Sequence, residues 1–258
     1  MHMTPLLEVS HVCYSYHTLS GETLALSDLT FAVDEGEFLV IVGPSGCGKS
    51  TLLSLISGLI PAEEGTIRLG QTPLTGHRTN IGYMLQKDHL FEWRTVYRNV
   101  LLGLEIQKKE TPENLAHVEQ LLHDYGLTAF KSARPSELSG GMRQRAALIR
   151  TLALNPDLLL LDEPFSALDY QTRLNVCDDV YSIIKKEKKT AILVTHDLSE
   201  AISMADRILI LSKRPARICR ILPVRFADPD LTPMQRRQAP EFKDYFNEIW
   251  KELNEHGQ

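Results

Sequence analysis

The chain has 258 residues, enough for one large domain or two modest ones, and its 43% hydrophobic content is that of an ordinary folded protein. A formal net charge of -5 gives no global attraction to nucleic acid or to an anionic membrane, so any such contact must be local and bulk charge decides little; no nucleic-acid partner is expected. Cys13, Cys47, Cys177 and Cys219 form no CxxC pair, which argues against a disulfide framework or a zinc site. The opening MHMTPLLEVSHV lacks a basic start followed by an apolar run, and no stretch of 18 uncharged apolar residues occurs, so a soluble, cytoplasmic chain is expected.

In chain order, the first strong signal is Phe38 to Val42, a short apolar and β-branched run suited to a buried strand. The glycine-rich turn GPSGCGKST follows, and from Lys49 the residues Leu52, Leu53, Ile56 and Leu59 recur at helical spacing, with Gly58 placed to end the helix. Gly43, Gly48, Lys49 and Ser50 match GxxxxGK[ST]. In such a loop, which here also contains Pro44, Ser45, Gly46, Cys47 and Thr51, backbone N–H groups wrap phosphates. The lysine neutralises the β and γ oxygens, and the serine hydroxyl ligates Mg2+. A flexible glycine turn would need neither lysine nor serine at those places.

Residues from about 88 to 156 read as an inserted helical lobe; Thr111 caps one helix with Pro112 at its first position, Leu115, Val118, Leu121 and Leu122 form its apolar face, and Gly126 ends it. In LSGGM, Ser139 caps a helix starting near Gly140, so the N–H groups of Gly140 and Gly141 would attract an anion. Taken alone, a Ser-Gly-Gly is usually a mere cap. Here it is a second anion nest in a chain whose phosphate loop already holds the phosphates.

LLLLDEP predicts a buried strand at Leu158 to Leu161 that delivers Asp162 to its end, where a carboxylate can hold Mg2+ directly or through water. Glu163, one residue on, is placed to activate water opposite a γ-phosphate as general base. KKEKK at 185–189 reads as a solvated helix end. A third strand is expected at Ala191 to Thr195, ending on His196. Ligand groups gather at the carboxyl ends of parallel strands, so Asp162, Glu163 and His196 should face the phosphate loop. From Pro215 the closely spaced prolines suggest an irregular wrap. After Pro240, the residues Phe242, Tyr245, Phe246, Ile249, Trp250 and Leu253 form one apolar helical face.

Together these motifs resemble the ATP-binding subunit of an ABC transporter, in the family's order and over nearly the whole chain: GPSGCGKST the Walker A loop, Gln86 the Q-loop, LSGGM the signature, LLLLDEP the Walker B strand, SALD at 166–169 the D-loop, and His196 the switch histidine. The resemblance implies an α/β P-loop NTPase with a RecA-like parallel-sheet core, an N-terminal antiparallel β subdomain and an inserted helical subdomain. The ABC ATPase domain would span 1–240 and the C-terminal amphipathic helix 241–258. It further implies ATP and Mg2+ as cofactors, catalytic roles for Glu163, His196 and Gln86, and Gln86 beside Ser50 and Asp162 at the metal. Nucleotide domains of this family pair head to tail, so Ser139, Gly140 and Gly141 would meet the γ-phosphate of a second copy, with Asp169 at the seam. Tyr16 resembles the aromatic residue that stacks on adenine; Tyr14 shares its face on a regular strand, so periodicity does not separate the two.

DHLFEWRTVYRNV, SKRPARICRILPV and APEFKDYFNEIWKEL resemble importers of nitrate, alkanesulfonate and taurine, although Glu92 stands where that subfamily has proline before the tryptophan. The resemblance thus implies an importer motor peripheral to the cytoplasmic face of the inner membrane, with transmembrane permease subunits docking beside Gln86, Leu90, Phe91 and Trp93 and a substrate-binding protein acting indirectly. An exporter subunit and a soluble ABC-type ATPase are the competing readings. The short span between Thr51 and Leu138 leaves no room for the long coiled coil of DNA-tethering relatives, and no NKxD motif supports a GTP switch.

Overall fold

The computed structural model describes residues 5–19, 21–74 and 80–256. The ends of the expected 1–240 domain and 241–258 helix, at residues 1–4 and 257–258, lie outside the described residues, as do positions 20 and 75–79. The N-terminal part runs β1 (Leu7–Thr18), β2 (Gly21–Val33), β3 (Phe38–Val42), α1 (Lys49–Ile56), β4 (Glu64–Leu69), β5 (Thr72–Pro73) and β6 (Ile81–Met84). Three helices follow, α2 (Val96–Gln107), α3 (Pro112–Asp124) and α4 (Gly140–Leu152). The chain then continues through β7 (Leu158–Asp162), α5 (Tyr170–Lys186), β8 (Thr190–Val194), α6 (Leu198–Met204), β9 (Arg207–Leu211), β10 (Ile218–Pro223), α7 (Pro233–Arg236) and α8 (Pro240–His256).

Two sheets organise the molecule. Six strands lie in the order β10-β9-β3-β8-β7-β6, parallel except where β10 pairs antiparallel with β9, and four antiparallel strands lie in the order β2-β1-β4-β5. β3, β7 and β8 are each buried along their whole length, as strands covered on both faces must be. Alternation then sorts their side chains. Phe38, Val40, Val42, Leu159, Leu161 and Leu193 pack with the helices, while Leu39, Ile41, Leu158, Leu160, Ile192 and Val194 pack with α1 and the antiparallel sheet. The parallel core, antiparallel N-terminal sheet and inserted helices are the architecture expected from the sequence.

Four local expectations are corrected. α1 stops at Ile56, Gly58 turns left-handed at φ 74, and Leu59, expected on the apolar helical face, is 68% exposed. β8 begins at Thr190 and ends at Val194, so Thr195 lies just beyond the strand. The expected irregular wrap after Pro215 contains a regular strand, β10, at the edge of the sheet with Pro223 as its last residue. Edge strands tolerate proline, and the weak burial alternation of β10 left no period to read. Leu90, grouped with the exposed docking residues, is 6% exposed and belongs to the core.

Residues between β6 and α2 are not helical; side chains of the lobe hold them. The Asn99 amide accepts from the Phe91 N–H and donates to the carbonyls of Phe91, Arg94 and Thr95. Arg150 donates to the carbonyls of Asp88 and His89 at 2.7 Å, and Arg143 bridges Asp88 and Glu92. Glu92 therefore closes an ion pair where the resembling subfamily places a proline.

Thr111 caps α3 as expected, accepting from the Asn114 N–H with Pro112 at the first position. Helix α8 lies against α6 and β9. Ile249 is fully buried, Phe242, Tyr245, Phe246 and Leu253 pack around it, and Trp250 stacks on Phe246 while staying 57% exposed. Ile249→Ala should therefore lower unfolding free energy by about 2–4 kcal/mol, and Trp250→Ala by about 1 kcal/mol or less. Urea titration of both variants checks this; equal losses would mean that α8 does not seal the core through Ile249.

Candidate functional site

The carboxyl ends of β3, β8 and β7 lie side by side, and the loop leaving β3 crosses above them. Gly46 and Gly48 hold φ of 71° and 127°, and a Cβ on Gly48 would come within 2.7 Å of Leu26 Cδ2. No other residue suits that corner. Gly48 caps α1 without a side-chain bond, so N–H groups of its first turn are available to an anion. The Lys49 side chain is only 6% exposed and curls back, its Nζ donating to the carbonyls of Gly43 at 2.9 Å and Pro44 at 3.0 Å. Burial pushes the Cys47 thiol up, against the opposing pull of Lys49 and Arg214.

Across the cleft stands Asp162, the last residue of β7 and 9% exposed. Ser50 Oγ donates to its Oδ1 at 3.1 Å, and the Tyr83 hydroxyl lies 3.4 Å from its Oδ2. Burial raises the Asp162 pKa, with the neighbouring Glu163 charge adding to it and the Ser50 bond opposing it. Tyr83 is pushed up to about 12 by burial first and by Asp162 second, so it stays a neutral donor. A buried carboxylate beside a serine hydroxyl, with the Gln86 amide on the same cleft wall, is an oxygen donor set that fits Mg2+.

Glu163 sits just beyond the strand end at φ 44, its N–H bonded to the Val194 carbonyl at 2.9 Å. That bond aims its carboxylate along the cleft. Its Oε2 lies 3.1 Å from His196 Nδ1 and 3.5 Å from Gln86 Nε2, and Gln86 also reaches Ser166 Oγ at 3.3 Å. One carboxylate, one imidazole and one amide thus converge within bonding reach.

Tyr16, Ser45, Gly46, Gly48, Lys49, Ser50, Thr51, Gln86, Asp162, Glu163 and Arg214 line a single cleft of about 520 Å³. Tyr14 packs towards the apolar cluster below, whereas Tyr16 is 40% exposed and its hydroxyl bonds Thr51 Oγ1 at 2.8 Å. Their rings meet edge to face at 5.2 Å.

Ser139, Gly140, Gly141 and Asp169 do not line this cleft. Ser139 caps α4 through the Met142 N–H at 3.4 Å, and Asp169 caps α5 through the Thr172 N–H at 3.0 Å. The Thr172 bonds hold the Asp169 carboxyl below its usual range. A Cβ on Gly140 would meet Leu168 at 3.0 Å, and one on Gly141 would meet Val176 at 3.0 Å. These glycines therefore serve close packing of α4, Gly141 against α5 and Gly140 against the turn before it, as well as leaving the helix start open. Tyr83 and Arg214 were not legible as site residues, and Ser166 only as the first residue of SALD: Tyr83 and Ser166 act through neighbours, and Arg214 arrives from 168 positions beyond Gly46.

The description "ABC transporter" belongs to the family that matches residues 26–166. The chain is 48% identical over 248 residues to the uncharacterized ABC transporter ATP-binding protein YtlC of Bacillus subtilis, covering 96% of this chain and 95% of that one. It is 40% identical to the aliphatic sulfonates import ATP-binding protein SsuB of Bacillus licheniformis, over 91% of this chain and 89% of that one. The taurine import ATP-binding protein TauB of Shigella sonnei is also 40% identical, over 86% of each chain. Among solved structures, the ATP-binding cassette MJ0796, dimeric in a post-hydrolysis state with ADP and Pi, superposes at a TM-score of 0.72 with 28% identity, over 85% of this chain and 99% of that one. With the phosphate loop, the two carboxylates and the histidine at adjacent strand ends, the chain belongs to the ABC transporter family as an ATP-binding subunit that binds ATP with Mg2+ and hydrolyses it.

Proposed function

We propose that this protein is the motor of an importer for a small anion or organic nutrient of the nitrate, alkanesulfonate or taurine kind. The observation that carries the two-copy reading is the position of Ser139, Gly140 and Gly141. They form an open helix start outside their own chain's cleft, so they gain a phosphate ligand only from a second copy. In that head-to-tail pair, adenine stacks on Tyr16, the N–H groups from Ser45 to Thr51 and Lys49 hold the phosphates, and Ser50, Asp162 and Gln86 hold Mg2+. Glu163 takes a proton from the attacking water, and His196 and the partner's signature meet the γ-phosphate. Asp169 lies at the seam.

Closure of the pair moves the helical lobe and with it the permease. The rings of Phe91 and Trp93 meet at 4.6 Å, tilted by 33°, a few residues beyond Gln86, with Trp93 71% exposed, so this segment offers an aromatic contact to a permease helix. Gln86, at the start of the same segment, reaches the Glu163 carboxylate. The import-type relatives support the direction of transport and the class of substrate. No helix among the described residues is long and apolar enough to cross a membrane; in this reading the motor sits peripherally at the cytoplasmic face of the inner membrane and separate transmembrane permease subunits supply the path. An extracytoplasmic binding protein delivers the substrate.

The test is mass spectrometry of proteins that copurify with a tagged Glu163→Gln variant, extracted from its own host in mild detergent with Mg-ATP. Recovery of a polytopic membrane protein together with a binding protein is the expected result. Recovery of ribosomal or DNA-associated proteins alone would overturn transport while leaving the ATPase intact.

A further inference from the structure

Arg214 stands at the tip of the turn between β9 and β10, far in sequence from every motif of the cleft. That turn is fixed to the rest of the molecule. Ser212 and Arg217 bond each other across it, the Ala216 N–H donates to the Ala25 carbonyl at 2.8 Å, and the Ser27 N–H donates to the Ala216 carbonyl at 2.9 Å. The Arg214 backbone is therefore held while its side chain reaches over the phosphate loop. Its Nη2 donates to the Gly46 carbonyl at 2.8 Å, and the residue lines the same cleft as Lys49 and Ser50.

Several arginines of this chain are neutralised by carboxylates: Arg143 by Asp88, Arg173 by Asp197, Arg207 by Glu37 and Arg220 by Glu248. Arg214 pairs with no carboxylate among the described residues. A guanidinium has five N–H donors, so the bond to Gly46 leaves others for the oxygens of a ligand. Its charge also reaches into the loop, where together with Lys49 it opposes the rise of the Cys47 pKa. The far wall of the cleft carries Asp162 and Glu163, so a bound polyphosphate needs cationic surroundings on the loop side.

We propose that Arg214 is a second nucleotide-binding cation, donating to phosphate oxygens of ATP or ADP from the outer side of Gly46 while Lys49 binds them from within. This deepens the nucleotide-binding reading and rests on it. Arginine suits the position because its planar fork can hold a backbone carbonyl and a phosphate at once. A residue that merely latched the loop through Gly46 would need only a hydrogen-bond donor. A residue that binds phosphate needs the charge.

The test is titration of the full chain with fluorescent MgADP and MgATP, at low and high ionic strength, for Arg214→Ala, Arg214→Gln and Arg214→Lys, with Lys49→Ala alongside. The expected result is a Kd raised on the order of tenfold, or about 1.4 kcal/mol, in the Ala and Gln variants, with partial recovery in Lys. Salt dependence of binding should flatten in the neutral variants. In steady-state hydrolysis KM should rise by more than kcat falls. Wild-type affinity in Arg214→Gln or Arg214→Ala would overturn the proposal. Strong binding by the wild type and its loss in Lys49→Ala would uphold the phosphate site in that same titration, so failure of the Arg214 assignment is distinguishable from failure of nucleotide binding.

Discussion

Glu163→Gln should reduce the rate of phosphate release at saturating Mg-ATP by about 10²–10⁴ while leaving nucleotide affinity close to that of the wild type. The substitution is nearly isosteric. The backbone bond from Glu163 to Val194 survives it, and so does the approach of His196 and Gln86 to the side chain. What disappears is the acceptor for the water proton, so ATP binds and closes the pair but stays intact. Sedimentation with Mg-ATP should then show a dimer that the wild type forms only transiently. Turnover within a few-fold of the wild type would remove Glu163 from the role of base.

Lys49→Ala should abolish tight binding and leave the fold standing. In the free protein Lys49 Nζ is bonded to two loop carbonyls, those of Gly43 and Pro44, at the wall of the cleft. With nucleotide the loss is larger, because a charge-assisted bond contributes about 1.5–3 kcal/mol, or roughly 10- to 100-fold in affinity. Ligand-induced stabilisation follows concentration over Kd. At an ATP level that clearly raises the wild-type melting temperature, the variant should therefore show little or no shift, while both proteins melt alike without ATP. A variant that keeps the full ATP-dependent shift would show that the N–H groups of the loop alone carry the binding.

Strands and catalytic ends were legible for one physical reason. A strand covered on both faces must be apolar throughout, so Phe38–Val42 and Leu158–Leu161 announce themselves, and the polar residues that end each run are already at the mouth of the sheet. Other features had no local signal. Whether Leu90 faces solvent or core depends on Asn99, Arg143 and Arg150 folding the 88–95 segment back onto the lobe. The end of α1 did carry a signal, Gly58, which takes the left-handed turn; the exposure of Leu59 just beyond it is what periodicity misread.

The chain's own order of residues determined which groups gather at the cleft: a phosphate loop, a strand-end carboxylate, an adjacent second carboxylate and a histidine, each defined by residue type and by its place after a strand or before a helix. Such short-range information is complete within a few residues, because backbone geometry and alternation act locally. Tertiary structure decided everything that depends on two distant segments meeting. Tyr16 rather than Tyr14 lines the cleft, the β9–β10 turn brought Arg214 onto Gly46, and Ser139 lies outside its own chain's cleft. Sheet register and helix packing are set by the sum of contacts across the whole core, and no local pattern of residues records that sum.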